Sequence, residues 1–212
     1  MNERESTVSN SGHPESQIPG QLVIISGPSG SGKSTLVKRL IATCPLPLEL
    51  SVSATTRAPR EGETDGVQYR FLTKEQFQKH RECNDFLECC EVFGRGDWYG
   101  TLSEPVTTGL RNGKWIILEI DVEGAMKVVK SVAAAITIFI DPGSLEELER
   151  RLRGRGTESE EKIQRRLEVA KREMEFISSY QYSVVNQNID SAVHQICQIL
   201  QSQSEGNECT TI

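Results

Sequence analysis

The sequence predicts an α/β protein in which a mostly parallel sheet is flanked by helices. Three observations predict it: strand-like and helix-like segments alternate through most of the chain, a glycine-rich turn joins the first strand to the first helix, and residues 53–101 interrupt the alternation. Strands separated by helices favour a parallel sheet, and the interruption indicates an inserted antiparallel lobe. A chain of 212 residues can bury the core of one such domain and still carry small lobes.

The composition is that of a globular protein, with 36% hydrophobic and 25% charged residues. No apolar run approaches the roughly 20 residues of a membrane-spanning helix, and residues 1–19 lack the apolar segment of a signal peptide, so we expect a cytoplasmic location. A net charge of −6 argues against a protein that coats nucleic acid. The six cysteines include no C-x-x-C pair, so we expect reduced thiols and no structural zinc site.

The two ends of the chain differ from its middle. Residues 1–19 are rich in Ser, Asn, Glu and Pro, which predicts a disordered tail. Residues 201–212 are expected to form a C-terminal tail that frays from Ser202 onward. One domain is predicted between them, at residues 20–200.

The first elements surround the glycine-rich turn. Apolar residues at 22–25 predict a buried strand before it, and helical spacing at 35–41 predicts a helix after it. Short strands are predicted at residues 49–52, 68–71 and 86–93, with a loop at 53–66. A capping box that starts at Thr73 predicts a helix toward Cys83.

Regular alternation returns after residue 101. Further strands are predicted at residues 115–120, 137–140 and 184–185. A helix is predicted with Ser103 as its cap, Pro105 near its first turn and Gly113 at its end.

Three helices are predicted in the last third of the chain. The first runs from a capping box at residues 144–147 to Arg153, the second starts at residues 157–160, and the last is capped by Asp190 or Ser191. The second of these presents one apolar face, which is formed by Ile163, Leu167, Ala170, Met174 and Ile177.

Residues 27–34 match the phosphate-binding pattern G-x-x-x-x-G-K-[ST] at every fixed position. In such a loop, backbone N–H groups and the helix N-terminus surround a polyphosphate. Lys33 is expected to reach the β- and γ-phosphates of ATP, and the Ser34 hydroxyl to bind Mg²⁺. A flexible turn that binds nothing is the alternative, which the flanking strand and helix oppose. The predicted ATP-binding residues are Gly27, Pro28, Ser29, Gly30, Ser31, Gly32, Lys33, Ser34 and Thr35.

A second candidate site lies in the inserted stretch. Arg57 and Arg60 stand three residues apart across Pro59, and Tyr69 follows. Guanidinium groups bind phosphate oxygens in pairs, which a lysine ammonium cannot do, and the proline restricts the loop between them. By composition alone, a solvated charged loop explains this stretch equally well.

Six further motifs follow the phosphate-binding loop in order: S-x-T-T-R-x-P-R-x-G-E-x-x-G-x-x-Y, F-L-E, Y-G-T, I-D-V-x-G, G-R-G-T-x-[ST]-E-E and V-V-N. Together they closely resemble the guanylate kinase family across residues 20–200. The resemblance implies a P-loop NTPase core with a parallel sheet flanked by helices. It also implies an inserted mixed α/β lobe that binds GMP at about 53–101, and a small lid at about 154–166.

The resemblance implies roles for the residues of the inserted lobe at the phosphate end of GMP. Arg57 and Arg60, with Tyr69 and Tyr99, would hold the GMP phosphate, and Ser53 would line the same site.

At the guanine end, the resemblance implies that Glu88 binds the base edge and that Thr101 bonds the base through its hydroxyl. Guanine offers neighbouring N1–H and N2–H₂ donors, which a carboxylate accepts together, whereas adenine presents a bare acceptor there. Asp121 would lie near both nucleotides and order Mg²⁺ through water. Without the resemblance, Glu88 is better explained as a surface carboxylate.

Several arginines lie at and after the end of the fourth predicted helix, which runs from residue 144 to Arg153. Cations near a helix C-terminus offset its dipole, and this is sufficient for Arg150 and Arg151. Arg155 and Arg166 match the family's lid arginines, which stabilise charge on the transferred group. An RNA-binding patch is the competing interpretation, and it lacks interleaved aromatic residues. The predicted catalytic residues are Lys33, Arg57, Arg155 and Arg166.

The chain departs from the family pattern in a few places. Residues 94–99 are longer than expected before Y-G-T, which puts the position of Tyr99 in doubt. Glu119 stands where an aspartate is expected, which puts its help with Mg²⁺ in doubt. Asn186 resembles the family asparagine on the adenine side.

The sequence thus predicts an ATP:GMP phosphotransferase of purine nucleotide metabolism that uses Mg²⁺ and acts on GMP or dGMP. The expected partners are these small molecules, with no nucleic acid and no membrane, and the protein is expected to be a monomer or homodimer. Two alternatives remain: a catalytically inactive guanylate-kinase-like binding module, and a kinase of related fold that acts on a phosphorylated ribose.

Overall fold

The computed structural model describes residues 20–92, 96–154 and 159–208 of the chain. The predicted disordered tail at residues 1–19 lies outside these residues, as does Arg155 of the predicted lid.

Nine strands and seven α-helices occur within the described residues. In chain order, the strands are β1 (Leu22–Ser26), β2 (Leu48–Leu50), β3 (Ala54–Thr55), β4 (Arg70–Phe71), β5 (Phe86–Val92), β6 (Asp97–Leu102), β7 (Trp115–Glu119), β8 (Ile136–Asp141) and β9 (Tyr182–Val185). The helices are α1 (Lys33–Thr43), α2 (Lys74–Glu82), α3 (Ser103–Arg111), α4 (Val122–Ser131), α5 (Leu145–Gly154), α6 (Glu160–Met174) and α7 (Ile189–Glu208).

Five strands form a parallel sheet in the order β2-β7-β1-β8-β9. All five residues of β1 are buried, as expected for a central strand covered on both faces. Side chains of α1 and α7 pack on one face of the sheet, and those of α3 and α4 pack on the other. The parallel sheet flanked by helices is therefore confirmed. Because β1 and β7 are adjacent and parallel, the loops that follow them meet at one edge.

A second sheet has the order β4-β3-β6-β5 and forms an inserted lobe with α2. β6 is antiparallel to β3 and β5, whereas β3 is parallel to β4, so the lobe is mixed. The predicted loop at 53–66 is wrong at Ala54–Thr55, and β6 was not predicted. Neither segment contains a continuous apolar run, and their pairing across the chain, with Thr55 opposite Tyr99, makes them strands.

The starts of α3 and α4 differ from the sequence prediction. Ser103 is the first helical residue of α3, and the cap position belongs to Leu102, whose side chain makes no capping bond. The helix α4 was not predicted. The carboxylate of Asp121 caps it, because its Oδ1 accepts a hydrogen bond of 2.7 Å from the backbone N–H of Gly124.

The C-terminal part also differs from the prediction. Asn188, rather than Asp190 or Ser191, caps α7, because its Oδ1 accepts 3.0 Å hydrogen bonds from the backbone N–H groups of both residues. The helix continues to Glu208, so fraying from Ser202 is wrong. Ile177 lies in a 3₁₀ turn beyond α6.

The predicted capping boxes are present in different degrees. At Thr73, both reciprocal hydrogen bonds with Gln76 form. At Ser144, the hydroxyl accepts a hydrogen bond from the backbone N–H of Glu147 at 3.1 Å, while the Glu147 carboxylate turns to Arg150 and Arg151. No described helix has both the length and the apolar character needed to cross a membrane.

Candidate active site

The glycine-rich loop connects β1 to α1 and requires glycine at its bends. Gly27, Gly30 and Gly32 have φ angles of +136°, +100° and +93°, which other residues rarely adopt. A Cβ atom on Gly27 would lie 2.5 Å from the carbonyl oxygen of Ile140, and one on Gly32 would lie 2.6 Å from Asn186 Nδ2. The loop is therefore held tightly against β8 and the segment after β9.

The ammonium of Lys33 is held inside this loop. Its Nζ donates to the carbonyl oxygens of Gly27 at 2.6 Å and Pro28 at 3.1 Å. Burial lowers the pKa of Lys33, while the charges of Glu173, Glu119 and Asp121 act in the opposite direction. The Lys33 ammonium therefore donates to carbonyl oxygens that phosphate oxygens can replace as acceptors.

The Ser34 hydroxyl donates a hydrogen bond to the carboxylate of Glu119. Glu119 is the last residue of β7, next to β1 in the sheet, so neighbouring strands bring together two residues that lie 85 positions apart. Although the family pattern has an aspartate at position 119, the carboxylate of Glu119 contacts Ser34, the residue predicted to bind Mg²⁺.

The arginine pair of the inserted lobe is not a free fork. Arg57 donates through Nη2 to Glu63 at 3.0 Å and through Nε to the Tyr99 hydroxyl at 3.1 Å, and its side chain is only 13% exposed. The second Glu63 oxygen accepts a hydrogen bond from the Arg60 backbone N–H at 2.7 Å. The Arg57 guanidinium also lies 5.4 Å from the Tyr69 ring centre. Glu63 is a fixed position of the quoted motif, but the sequence analysis gave it no role.

The guanine-edge candidates form a buried pair. Glu88 and Thr101 are register partners in β5 and β6, and Thr101 Oγ1 donates to Glu88 Oε1 at 2.7 Å. Glu88 is only 7% exposed. This burial raises the pKa of the Glu88 carboxyl to about 7, although the hydrogen bond from Thr101 acts to lower it. Gly124 leaves room for the Glu88 carboxylate, because a Cβ atom at position 124 would lie only 3.1 Å from Glu88 Oε2.

One cavity of about 960 Å³ joins the two ends of the site. It is lined by fourteen of the predicted residues, namely Gly27, Ser29, Gly30, Gly32, Lys33, Ser34, Thr35, Ser53, Arg60, Tyr69, Glu88, Tyr99, Asp121 and Arg166. Pro28, Ser31, Arg57 and Thr101 do not line it, but Arg57 and Thr101 donate hydrogen bonds to Tyr99 and Glu88, which do. Residues predicted separately for a donor and an acceptor nucleotide thus share one space.

Two arginines and an asparagine contact the glycine-rich loop from the lid side. Arg166 donates through Nη2 to Ser29 Oγ at 2.6 Å. Asn186 Nδ2 donates to Ser31 O at 2.7 Å, and Arg151 Nη2 donates to Asn186 O at 2.6 Å. The prediction that Arg151 merely offsets a helix dipole is therefore incomplete, because Arg151 also supports the loop.

Glu173 is a site residue that the sequence analysis missed. It lines the cavity from α6, and burial raises its pKa to about 7 although the charge of Lys33 acts against this. Arg166 and Glu173 are seven residues apart, which places them on one face of a helix. That spacing was the available signal, but a single glutamate within a charged helix does not stand out in a sequence.

The comparisons with known proteins agree with one another. A family model described as guanylate kinase matches residues 19–203. A guanylate kinase of Rhodopirellula baltica is 57% identical over 92% of this chain and 94% of its own length. One of Synechocystis is 44% identical over 88% of this chain and 96% of its own length. A crystal structure of guanylate kinase from Anaplasma phagocytophilum has a TM-score of 0.72 and 30% identity, covering 88% of this chain and 87% of that one.

Proposed function

The chain belongs to the guanylate kinase family, and from that premise we propose that it transfers the γ-phosphoryl group of ATP to GMP or dGMP. The products are ADP and GDP or dGDP, and the role is in purine nucleotide metabolism. The observation that carries the proposal is the single cavity, which has the loop lysine Lys33 at one end and the Glu88–Thr101 pair at the other.

ATP binds through the glycine-rich loop, residues 27–35. Backbone N–H groups of the loop and the N-terminus of α1 receive the phosphates, and Lys33 exchanges its carbonyl acceptors for β- and γ-phosphate oxygens.

The residues present fit Mg²⁺. Ser34 and Glu119 offer oxygens in contact with each other, and Asp121 lines the same cavity. Within the described residues no cluster of three or more His, Cys, Asp and Glu forms a metal site, and Mg²⁺ that arrives with ATP needs few protein ligands. When bound, Mg²⁺ neutralises charge on the β- and γ-phosphates.

GMP binds in the inserted lobe. Its phosphate is received by Arg57, Arg60, Tyr69 and Tyr99, beside Ser53. Because Arg57 is held by Glu63 and Tyr99 in the described structure, its guanidinium is already oriented and gives part of its bonding to the incoming phosphate.

The base of GMP is selected by charge. The Glu88 carboxylate accepts from N1–H and N2–H₂ of guanine, with Thr101 beside it, and Asp121 lies near the two nucleotides. Burial disfavours the ionised form of Glu88, and hydrogen bonds from the two donors of the guanine base favour that form again. A base without these donors leaves the carboxylate unpaired, which is costly in a buried site.

No side chain forms a covalent intermediate. The reaction proceeds by alignment of the two nucleotides, neutralisation of charge by Lys33, Arg57, Arg155 and Arg166, and exclusion of water as the lobe and the lid at about 154–166 close. The proposed domain spans residues 20–200. A cytoplasmic location and a monomer or homodimer stay predictions from the sequence.

The two alternatives are less well supported. A catalytically inactive binding module has no need for a loop lysine bonded to Gly27 and Pro28 or for Ser34 against a carboxylate. A kinase of a phosphorylated ribose has no need for a buried carboxylate that selects a base.

A coupled assay that detects ADP, run with GMP, dGMP, AMP, UMP and phosphoribose as acceptors, tests the proposal. We expect turnover with GMP and dGMP and at least about a hundredfold less with the others. The Lys33→Ala variant serves as the inactive control. Equal turnover with AMP and GMP, or unchanged turnover of Lys33→Ala, would contradict the proposal.

A further inference from the structure

The carboxylate of Glu63 lies beside the two arginines of the inserted lobe, although it does not line the cavity. Its Oε1 accepts a hydrogen bond from Arg57 Nη2 at 3.0 Å, and its Oε2 accepts one from the backbone N–H of Arg60 at 2.7 Å. The Glu63 side chain is only 18% exposed, whereas its chain neighbours Glu61 and Gly62 are exposed. One carboxylate therefore connects the side chain of one arginine to the backbone of the other.

The negative charge of Glu63 opposes phosphate binding if charge alone determines affinity. A carboxylate beside a phosphate site repels the ligand and neutralises part of the Arg57 charge. The hydrogen bond from Arg57 lowers the pKa of Glu63, so the repelling charge is present at neutral pH. The contacts of Arg57 indicate what offsets this cost.

The Arg57 guanidinium is fixed by three acceptors. It donates through Nε to the Tyr99 hydroxyl at 3.1 Å, through Nη1 to the carbonyl oxygen of Ala58 at 2.7 Å and through Nη2 to Glu63. A guanidinium has five N–H groups, so two remain, which is the number that a paired contact with phosphate needs. A long side chain that becomes ordered on binding costs free energy, and Arg57 is ordered before the ligand arrives.

The backbone of Arg57 is held separately from its side chain. Thr55 is fully buried in β3, and its Oγ1 accepts a hydrogen bond of 3.1 Å from the Arg57 N–H. The same hydroxyl donates to the carbonyl oxygen of Trp98, in β6, at 3.0 Å. A change at Glu63 therefore releases the guanidinium of Arg57 without releasing the backbone that carries it.

We propose that Glu63 is a positioning residue for the acceptor phosphate: it holds the Arg57 guanidinium in the orientation that receives GMP, and so raises the affinity for GMP although it adds negative charge to the site. The inference rests on the proposed function. Because Arg57 is proposed to contact only the phosphate end of GMP, Glu63 favours the nucleotide over the same nucleoside without a phosphate.

Positioning and charge predict opposite results. If Glu63 acted mainly through its charge, Glu63→Gln would tighten GMP binding, and Glu63→Asp, which keeps the charge, would match wild type. If Glu63 positions Arg57, both variants weaken GMP binding. Glutamine offers one acceptor oxygen in place of two, and aspartate withdraws the carboxylate by one methylene.

The experiment compares both Glu63 variants with wild type and with Glu61→Gln, which removes the same charge from an exposed residue of the same loop. Calorimetry without ATP measures the Kd for GMP. Competition against GMP measures the Kd for guanosine, which has the base but no phosphate. Thermal unfolding monitors the fold. Arg57→Lys, alone and combined with Glu63→Gln, tests whether the effect passes through the guanidinium.

We expect Glu63→Gln and Glu63→Asp to raise the Kd for GMP by about five- to twentyfold, with the Kd for guanosine within about twofold of wild type. Glu61→Gln should match wild type. Once position 57 carries lysine, Glu63→Gln should change the Kd for GMP by less than about twofold.

Unchanged or tighter GMP binding by either Glu63 variant would overturn the inference. Equal losses for GMP and guanosine, or a full effect of Glu63→Gln in the Arg57→Lys background, would also overturn it. Should Glu63→Gln fail to fold, Glu63→Asp decides by the same criteria. A folded wild-type protein that binds no GMP would instead overturn the proposed function.

Discussion

At the scale of single residues, two carboxylates line one cavity, that of the buried Glu88 and that of the half-buried Glu173. Burial raises the pKa of both Glu88 and Glu173 to about 7, but their neighbours differ. Glu88 accepts a hydrogen bond from the Thr101 hydroxyl, whereas Glu173 lines the cavity from α6, where the charge of Lys33 opposes the rise of its pKa. The same residue type therefore stands in two different electrostatic surroundings of one cavity.

The first prediction concerns Glu88. We expect Glu88→Gln to raise the KM for GMP by about 10- to 100-fold, because hydrogen bonds to a charged acceptor are worth more than those to an amide oxygen. The KM for ATP, measured on the same variant, is the internal control and should stay within about twofold of wild type. Equal losses for GMP and ATP would mean that Glu88 does not read the base.

The pH dependence of the same variant gives a second readout. Because burial raises the pKa of Glu88 to about 7, the carboxylate is ionised at pH 8 and largely protonated at pH 6. Only the ionised form accepts from both guanine donors. The ratio of the KM for GMP of Glu88→Gln to that of wild type should therefore fall from pH 8 to pH 6, and titration of the GMP phosphate cancels in this ratio. A ratio that does not depend on pH would count against the assignment.

At the scale of elements, the connection between β1 and α1 explains why the loop can bind phosphate at all. Glycines in left-handed conformations turn the backbone N–H groups inward, and α1 starts at Lys33 without any side-chain cap. The unused N–H groups at the start of this helix stay available for a ligand. Packing of Asn186 against Gly32 and Ser31 keeps the loop in this shape.

The second prediction compares two glycines that both have positive φ. Alanine at Gly32 would be strained at φ +93° and would place Cβ 2.6 Å from Asn186 Nδ2, whereas alanine at Gly66 is strained at φ +77° but meets nothing within 4 Å. We expect Gly66→Ala to cost about 1 kcal/mol of stability and to leave ATP binding unchanged. Gly32→Ala should cost more and weaken ATP binding at least about tenfold. Thermal unfolding and ATP titration measure both, and similar ATP affinities for the two variants would refute the argument.

At the scale of the whole molecule, two sheets face one cavity. The parallel sheet carries the phosphate-binding loop, and the inserted sheet carries Glu88 and Tyr99. Phosphoryl transfer needs the two nucleotides aligned and water excluded. The cavity reaches both candidate sites but is open to solvent. Relative movement of the lobe and of the segment around α6 is the simplest way to achieve this.

The third prediction is therefore a change of size. Small-angle scattering should show a smaller radius of gyration when a non-hydrolysable ATP analogue and GMP are both bound than when either is bound alone, because charges from both lobes then meet across the phosphates. The Lys33→Ala variant under the same conditions should compact less. An unchanged radius with both ligands bound would argue against closure.

The sequence by itself determined the phosphate-binding loop, the buried strand before it, the capping box at Thr73 and the family, because each depends on residues that are close together in the chain or on motifs in a fixed order. Short-range patterns do not report what distant residues do to one another. Only the tertiary structure decided that Glu63 holds Arg57, that Glu119 meets Ser34, that Arg166 meets Ser29 and that β3 and β6 are strands. The physical reason is that side-chain partners and strand pairing depend on which elements the sheets bring side by side, so the electrostatic properties of the site emerge only when the chain is folded.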